Sequence, residues 1–145
     1  VTANVTPYVV LRSAAEVHIG ETRQRSLAAL IVDPRRPLEI GIELISVPGP
    51  VWWVSRGLLE IGLVGLAGEM DVIVQPVPEE DPPLTQVLLH ASHDGDHDCV
   101  IRLLRSEVHR AVTLSWQLTD RDAESEWIEL AVNEVIRRSR SGRHA

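Results

Sequence analysis

The sequence predicts an α+β domain with antiparallel sheets of about seven strands, one short internal helix and two closing helices. Three observations carry this. Short apolar stretches with period-2 alternation are separated by Pro- and Gly-containing breakers through the first hundred residues. The period changes to helical only after Leu104. The run of strands is interrupted by one short helix, whereas a parallel sheet needs a crossover helix between each pair of strands.

Val5 to Val17 alternates enough (Val5, Val9, Leu11, Val17) to form a long first strand, and Gly20 to Arg25 is polar and turn-like. Leu27 to Val32 is a short apolar strand stopped at Asp33-Pro34, because proline lacks a ladder donor and holds its predecessor extended. Leu38, Ile40, Ile42 and Leu44 alternate with Glu39, Gly41 and Glu43, as in a strand with one face on a core. Pro48-Gly49-Pro50 breaks the chain before a short strand, Val51 to Val54. Ser55 is suited to N-cap a two-turn helix carrying Leu58, Leu59 and Ile61, with Gly62 near its end. Gly65 and Gly68 mark a turning connection to a strand from Met70 to Val74, followed by an acidic, proline-rich loop, Glu79 to Pro83. Leu84 to His90 and Asp98 to Leu104 are two more strands, joined by a turn at His93 to Asp96. Val108, Ala111, Val112, Ser115 and Leu118 then share a helix face, with Ser106 as its cap. Asp122 caps a last helix bearing Trp127, Leu130, Ala131 and Val135. The expected organisation is one domain over residues 1–136 and a basic tail over 137–145.

Composition narrows the function classes. The chain has 145 residues, 44% of them hydrophobic, enough for a core without disulfides. Its one cysteine, Cys99, excludes an internal disulfide and fits a reducing compartment. With no membrane-length apolar run and no secretion-signal pattern, the expectation is a soluble cytoplasmic protein. The net charge is −7; Arg137, Arg138, Arg140 and Arg143 contribute +4, which leaves −11 elsewhere. An acidic body repels nucleic-acid phosphates. The basic tail is the one feature suited to an anionic surface or an acidic partner.

Covalent chemistry finds little support. His90, His93, Asp94, Asp96, His97, Asp98 and Cys99 are metal-ligand types in one loop, but their spacing matches neither a zinc finger nor a calcium loop. Asp and Gly favour turns for backbone reasons, so a hairpin turn is the expected reading and no metal is assigned. Cys99 and His97 share a strand face, yet no third group orients the histidine as a base. The glycines form neither GxGxxG nor a phosphate loop, and the chain has no lysine to complete one. No catalytic residue and no cofactor is expected. Trp52 and Trp53 are adjacent, so they point to opposite faces of a strand, and only one enters the core. The outward one is suited to an interface.

From Trp52 to Pro76 the chain resembles the SsgA-like family of sporulation and cell-division proteins of filamentous actinomycetes. Trp52, Arg56, Leu58, Leu59, Gly62 and Leu63 fall at the spacing of the family's first signature. Gly68, Asp71, Val72, Val74 and Pro76 match its second half without a gap. Upstream, Asp33-Pro34 before an alternating strand resembles a further family feature. Ser55, Gly57 and Met70 depart from the pattern, standing where the family carries alanine, aspartate and glycine. They suggest a divergent paralogue. The resemblance implies a fold like that of plant Whirly and mitochondrial guide-RNA-binding proteins, assembled as a homotrimer. It implies a non-enzymatic adaptor recruited to the division septum, which helps recruit or position FtsZ or guides septal wall remodelling. The partners implied are FtsZ or another SsgA-like protein. The alternative, from fold analogy alone, is a single-stranded nucleic-acid-binding protein. Trp52, Trp53, Arg56 and Asp71 are the expected partner or subunit contacts, with Arg56 placed to pair with Asp71.

Overall fold

The structure is a computed structural model that describes residues 8–45, 49–90 and 98–118. Eight strands form one antiparallel sheet. They are β1 (Val9–Ile19), β2 (Thr22–Val32), β3 (Glu39–Leu44), β4 (Trp52–Ser55), β5 (Ala67–Glu69), β6 (Val72–Val77), β7 (Leu84–Leu89) and β8 (Cys99–Leu104). Two helices, α1 (Arg56–Gly62) and α2 (Arg105–Leu118), complete the described fold. The order across the sheet is β4-β3-β2-β1-β8-β7-β6-β5. Four strands and a helix therefore occur twice in succession. Each set of four is a meander of sequence neighbours, and the two sets join where β1 pairs with β8.

Register places the apolar side chains in rows. Val74 lies opposite Val87, Val87 opposite Ile101, and Ile101 opposite Val17, and all four are buried. On the other half, Leu11, Leu30 and Ile42 form a second buried row that runs on to Trp52. Each such side chain stabilises the fold by roughly 1.5–3 kcal/mol on leaving water. On α2, Val108, Ala111, Val112 and Ser115 recur at helical spacing and are buried against strands from both halves of the sheet.

The α+β class and the antiparallel pairing agree with the sequence reading, but the described residues form eight strands rather than seven, in one sheet. The added strand is β5, three residues long, in a stretch whose glycines read as a turn. The fold also corrects β2, which starts at Thr22. Thr22 to Arg25 is exposed, yet it pairs with β1 along its whole length, helped by Arg23 Nη2 donating to Glu16 Oε2 at 2.9 Å. Residues 70 and 71 form the turn between β5 and β6 rather than the start of a strand. Ser106 lies inside α2, which begins at Arg105, so it is not the cap. Ser55 does cap α1, its Oγ accepting from the Leu58 N–H at 3.3 Å. The Val5 start of the first strand, the His93–Asp96 turn, the Asp122 helix and the basic tail lie outside the described residues. No helix among the described residues is long and apolar enough to cross a membrane.

Candidate protein-docking site

The signature stretch builds the site. β4 ends one edge of the sheet, α1 follows at once, and β5 forms the opposite edge, so the single stretch Trp52–Glu69 holds both ends of the sheet. Gly62 makes this possible: a Cβ there would lie 2.1 Å from Val74 Cγ1 and 2.6 Å from Val74 Cβ. Only glycine lets α1 rest so closely on β6.

Trp52 and Trp53 do point to opposite faces. Trp52 packs against the buried core. Trp53 lies on the outer face over Gly41, where an added Cβ would come within 3.1 Å of the indole. The Arg36 guanidinium sits 3.9 Å above the Trp53 ring centroid, and Arg36 Nη2 also donates to Glu39 Oε1 at 3.0 Å.

Arg56 is not where the sequence places it. It is buried, at 2% exposure, and does not pair with Asp71, which is exposed in the β5–β6 turn. Arg56 turns inward between the helices. Its Nη1 donates to Ser115 Oγ at 3.1 Å, and its guanidinium stacks 3.6 Å from the Trp116 ring centroid. A buried cation is tolerated only when solvated by such partners. Two further contacts tie the helices: Trp116 Nε1 donates to Glu60 Oε2 at 3.3 Å, and Arg105 Nε to the Leu63 carbonyl at 3.1 Å. Arg56 is therefore a clasp between α1 and α2 and presents almost no surface.

Trp53 and Asp71 meet across an open groove of about 490 Å³. β4 lines one wall through Trp53, Val54 and Ser55, and the β5–β6 turn lines the other through Met70 and Asp71. Met70 is the feature that sequence reasoning underused. It adopts φ 55°, a left-handed conformation that favours glycine, and its side chain is 92% exposed. Its departure from the family glycine was the available signal. Ile61, Val64 and Leu66, all exposed, lie in the same span of chain.

Elsewhere the chemistry is sparse. Burial pushes the Cys99 thiol up, away from the thiolate a nucleophile requires. His90 Nδ1 lies 3.2 Å from Asp98 Oδ1, and no group of three metal-ligating side chains forms among the described residues. The rest of that loop, including His93, Asp94, Asp96 and His97, lies outside the described residues. On the outer face Glu16 is held below the usual carboxylate range by its hydrogen bond with His18, then by that from Arg23.

The family described as the Streptomyces sporulation and cell division protein SsgA matches residues 27–124. No curated protein matches the chain. A structure from work relating mutations in SsgB to longitudinal cell division during sporulation of Streptomyces coelicolor superposes with a TM-score of 0.71 at 15% identity. It covers 86% of this chain and 98% of its own. An SsgA-like sporulation-specific cell division protein from Thermobifida fusca gives 0.70 at 14% identity, covering 94% of this chain and 99% of its own. At these identities the two structures establish likeness of fold, while the family match spans most of the sequence and both signature halves. The chain belongs to the SsgA family of sporulation and cell division proteins.

Proposed function

We propose that this chain is a non-enzymatic adaptor in sporulation-specific cell division. It acts at the septum as a homotrimer, helping to recruit or position FtsZ or to guide septal wall remodelling, with FtsZ or another SsgA-like protein as partner. The observation that carries the reading is the groove at the family signature. It sets Trp53 beside the exposed Met70 across a groove open to solvent. Light scattering of the chain alone, then with FtsZ, tests it. A trimer that shifts to heavier species with FtsZ is expected, and a monomer indifferent to FtsZ refutes the proposal. Trp53→Ala is expected to weaken association more than folding. A large fall in thermal stability with association intact would show that Trp53 serves the core instead.

A further inference from the structure

We propose that the groove between β4 and the β5–β6 turn receives an extended, cationic peptide segment of a partner protein. This rests on the adaptor reading and names the chemistry of its partner. Three observations specify that chemistry.

Charge comes first. Glu39, Glu69 and Asp71 line the groove and no basic side chain does. Glu39 is engaged by Arg36, whereas Glu69 and Asp71 have no cationic partner among the described residues. Nucleic acid and anionic lipid are disfavoured by the same charges.

The wall is the second. One face of Trp53 is covered by the Arg36 guanidinium at 3.9 Å, which leaves the indole edge as the apolar part of the wall. Its remaining surface, with Leu58 and Met70, offers apolar contact for the stems of Arg or Lys side chains.

The third is the backbone. β4 pairs with β3 on one side only, and on its other side no described strand takes its ladder groups. β5 closes the opposite end of the sheet in the same way. Such an edge accepts an added strand through main-chain hydrogen bonds, while alternate side chains of that strand enter the groove.

Fluorescence anisotropy of a labelled ten-residue peptide, alternating Arg with Val, titrated with the full chain, tests the proposal. Saturable binding is expected, weakened about fivefold in Glu69→Gln/Asp71→Asn and unchanged in Glu21→Gln, an exposed carboxylate elsewhere. Both substituted groove residues are exposed, so the variant is expected to keep the parent's unfolding midpoint. An acidic peptide of the same length should not bind, and raising salt from about 50 to 200 mM should weaken the basic one. Absence of binding, or equal affinity for parent and double variant, overturns the inference. So does a fivefold gain in affinity on removing residues 137–145, which would assign the groove to the chain's own arginines. Septal localisation of a fluorescent fusion separates the two proposals. If localisation persists while peptide binding fails, only the groove assignment falls. If the peptide binds and localisation fails, the adaptor reading falls.

Discussion

Gly62→Ala adds a single methyl group where α1 meets β6. The new Cβ would lie 2.1 Å from Val74 Cγ1, 2.6 Å from Val74 Cβ and 3.2 Å from the Val74 carbonyl carbon. Ordinary carbon contacts are about 3.5–4.0 Å, so the closest pair must separate by roughly 1.5 Å. Rotating Val74 moves Cγ1 but leaves its Cβ in place, and Val74 is fully buried. The helix must therefore lift from the strand, loosening Leu59 and Leu63, both of which are core residues. Overpacking of this kind costs about 1–3 kcal/mol. Alanine returns at most about 1 kcal/mol of helix propensity, and less at the last helical position. A net loss near 2 kcal/mol is expected. With a urea m-value of about 2 kcal/mol/M, the unfolding midpoint falls by about 1 M. Introducing Val74→Ala into the same background removes the nearest clash, so the double variant should be about 1 kcal/mol more stable than additivity predicts. A Gly62→Ala midpoint within about 0.2 M of the parent, or strict additivity with Val74→Ala, would refute the close-packing account.

Met70→Gly relieves a left-handed residue of about 1–2 kcal/mol of strain and gives up part of that through the more flexible unfolded chain. A gain of roughly 0.5–1 kcal/mol, about 2–3 °C in melting temperature, is expected by calorimetry. Met70→Ala keeps the strain and should gain nothing; equal stabilisation by both would point to the exposed side chain instead of the backbone. The Thr85 hydroxyl is buried with no partner among the described residues, so Thr85→Val should stabilise by about 1 kcal/mol in urea unfolding, and destabilisation would reveal a bond the hydroxyl makes. Asp33 is held below the ordinary carboxylate range by hydrogen bonds from the Arg35 side chain, opposed by partial burial. Its stabilising contribution is therefore fully present above about pH 4 and lost as pH falls through the lowered folded value. Asp33→Asn should flatten the acid limb of stability below pH about 4, and parallel limbs for parent and variant would refute the linkage.

The fold was legible wherever one side chain in two meets the core. The alternation from Leu38 to Leu44 gave β3, and Ser55 marked the start of α1 through a hydrogen bond reaching three residues. Where a strand is exposed on both faces, as at Thr22 to Arg25, hydropathy carries no signal, and the pairing comes from register with β1. β5 is too short to alternate and is held by β6 alone. The site was legible in part. The opposition of Trp52 and Trp53 follows from strand geometry, and the choice of which faces out follows from the sheet. The inward turn of Arg56 has no local signal, because Ser115, one of the groups that solvate it, lies 59 positions away. Asp71, fifteen positions from Arg56 and opposite in charge, was the nearer choice but lies in the exposed turn.

The seam between β1 and β8 has a consequence for a chain emerging from the ribosome. β1 finds β2 at once, but its other edge waits for β8, some 80 residues away, or roughly 4–16 s at ordinary elongation rates. Ser13 Oγ accepts from the Leu104 N–H at 3.1 Å across 91 positions, so the bond that fastens this seam is among the last to form. During that interval β1 is an open template for another nascent chain. Glu16 and His18 sit on that strand, with Arg23 and Arg25 opposite them on β2. Charged groups there discourage sticking between copies before Arg102 arrives beside Glu16.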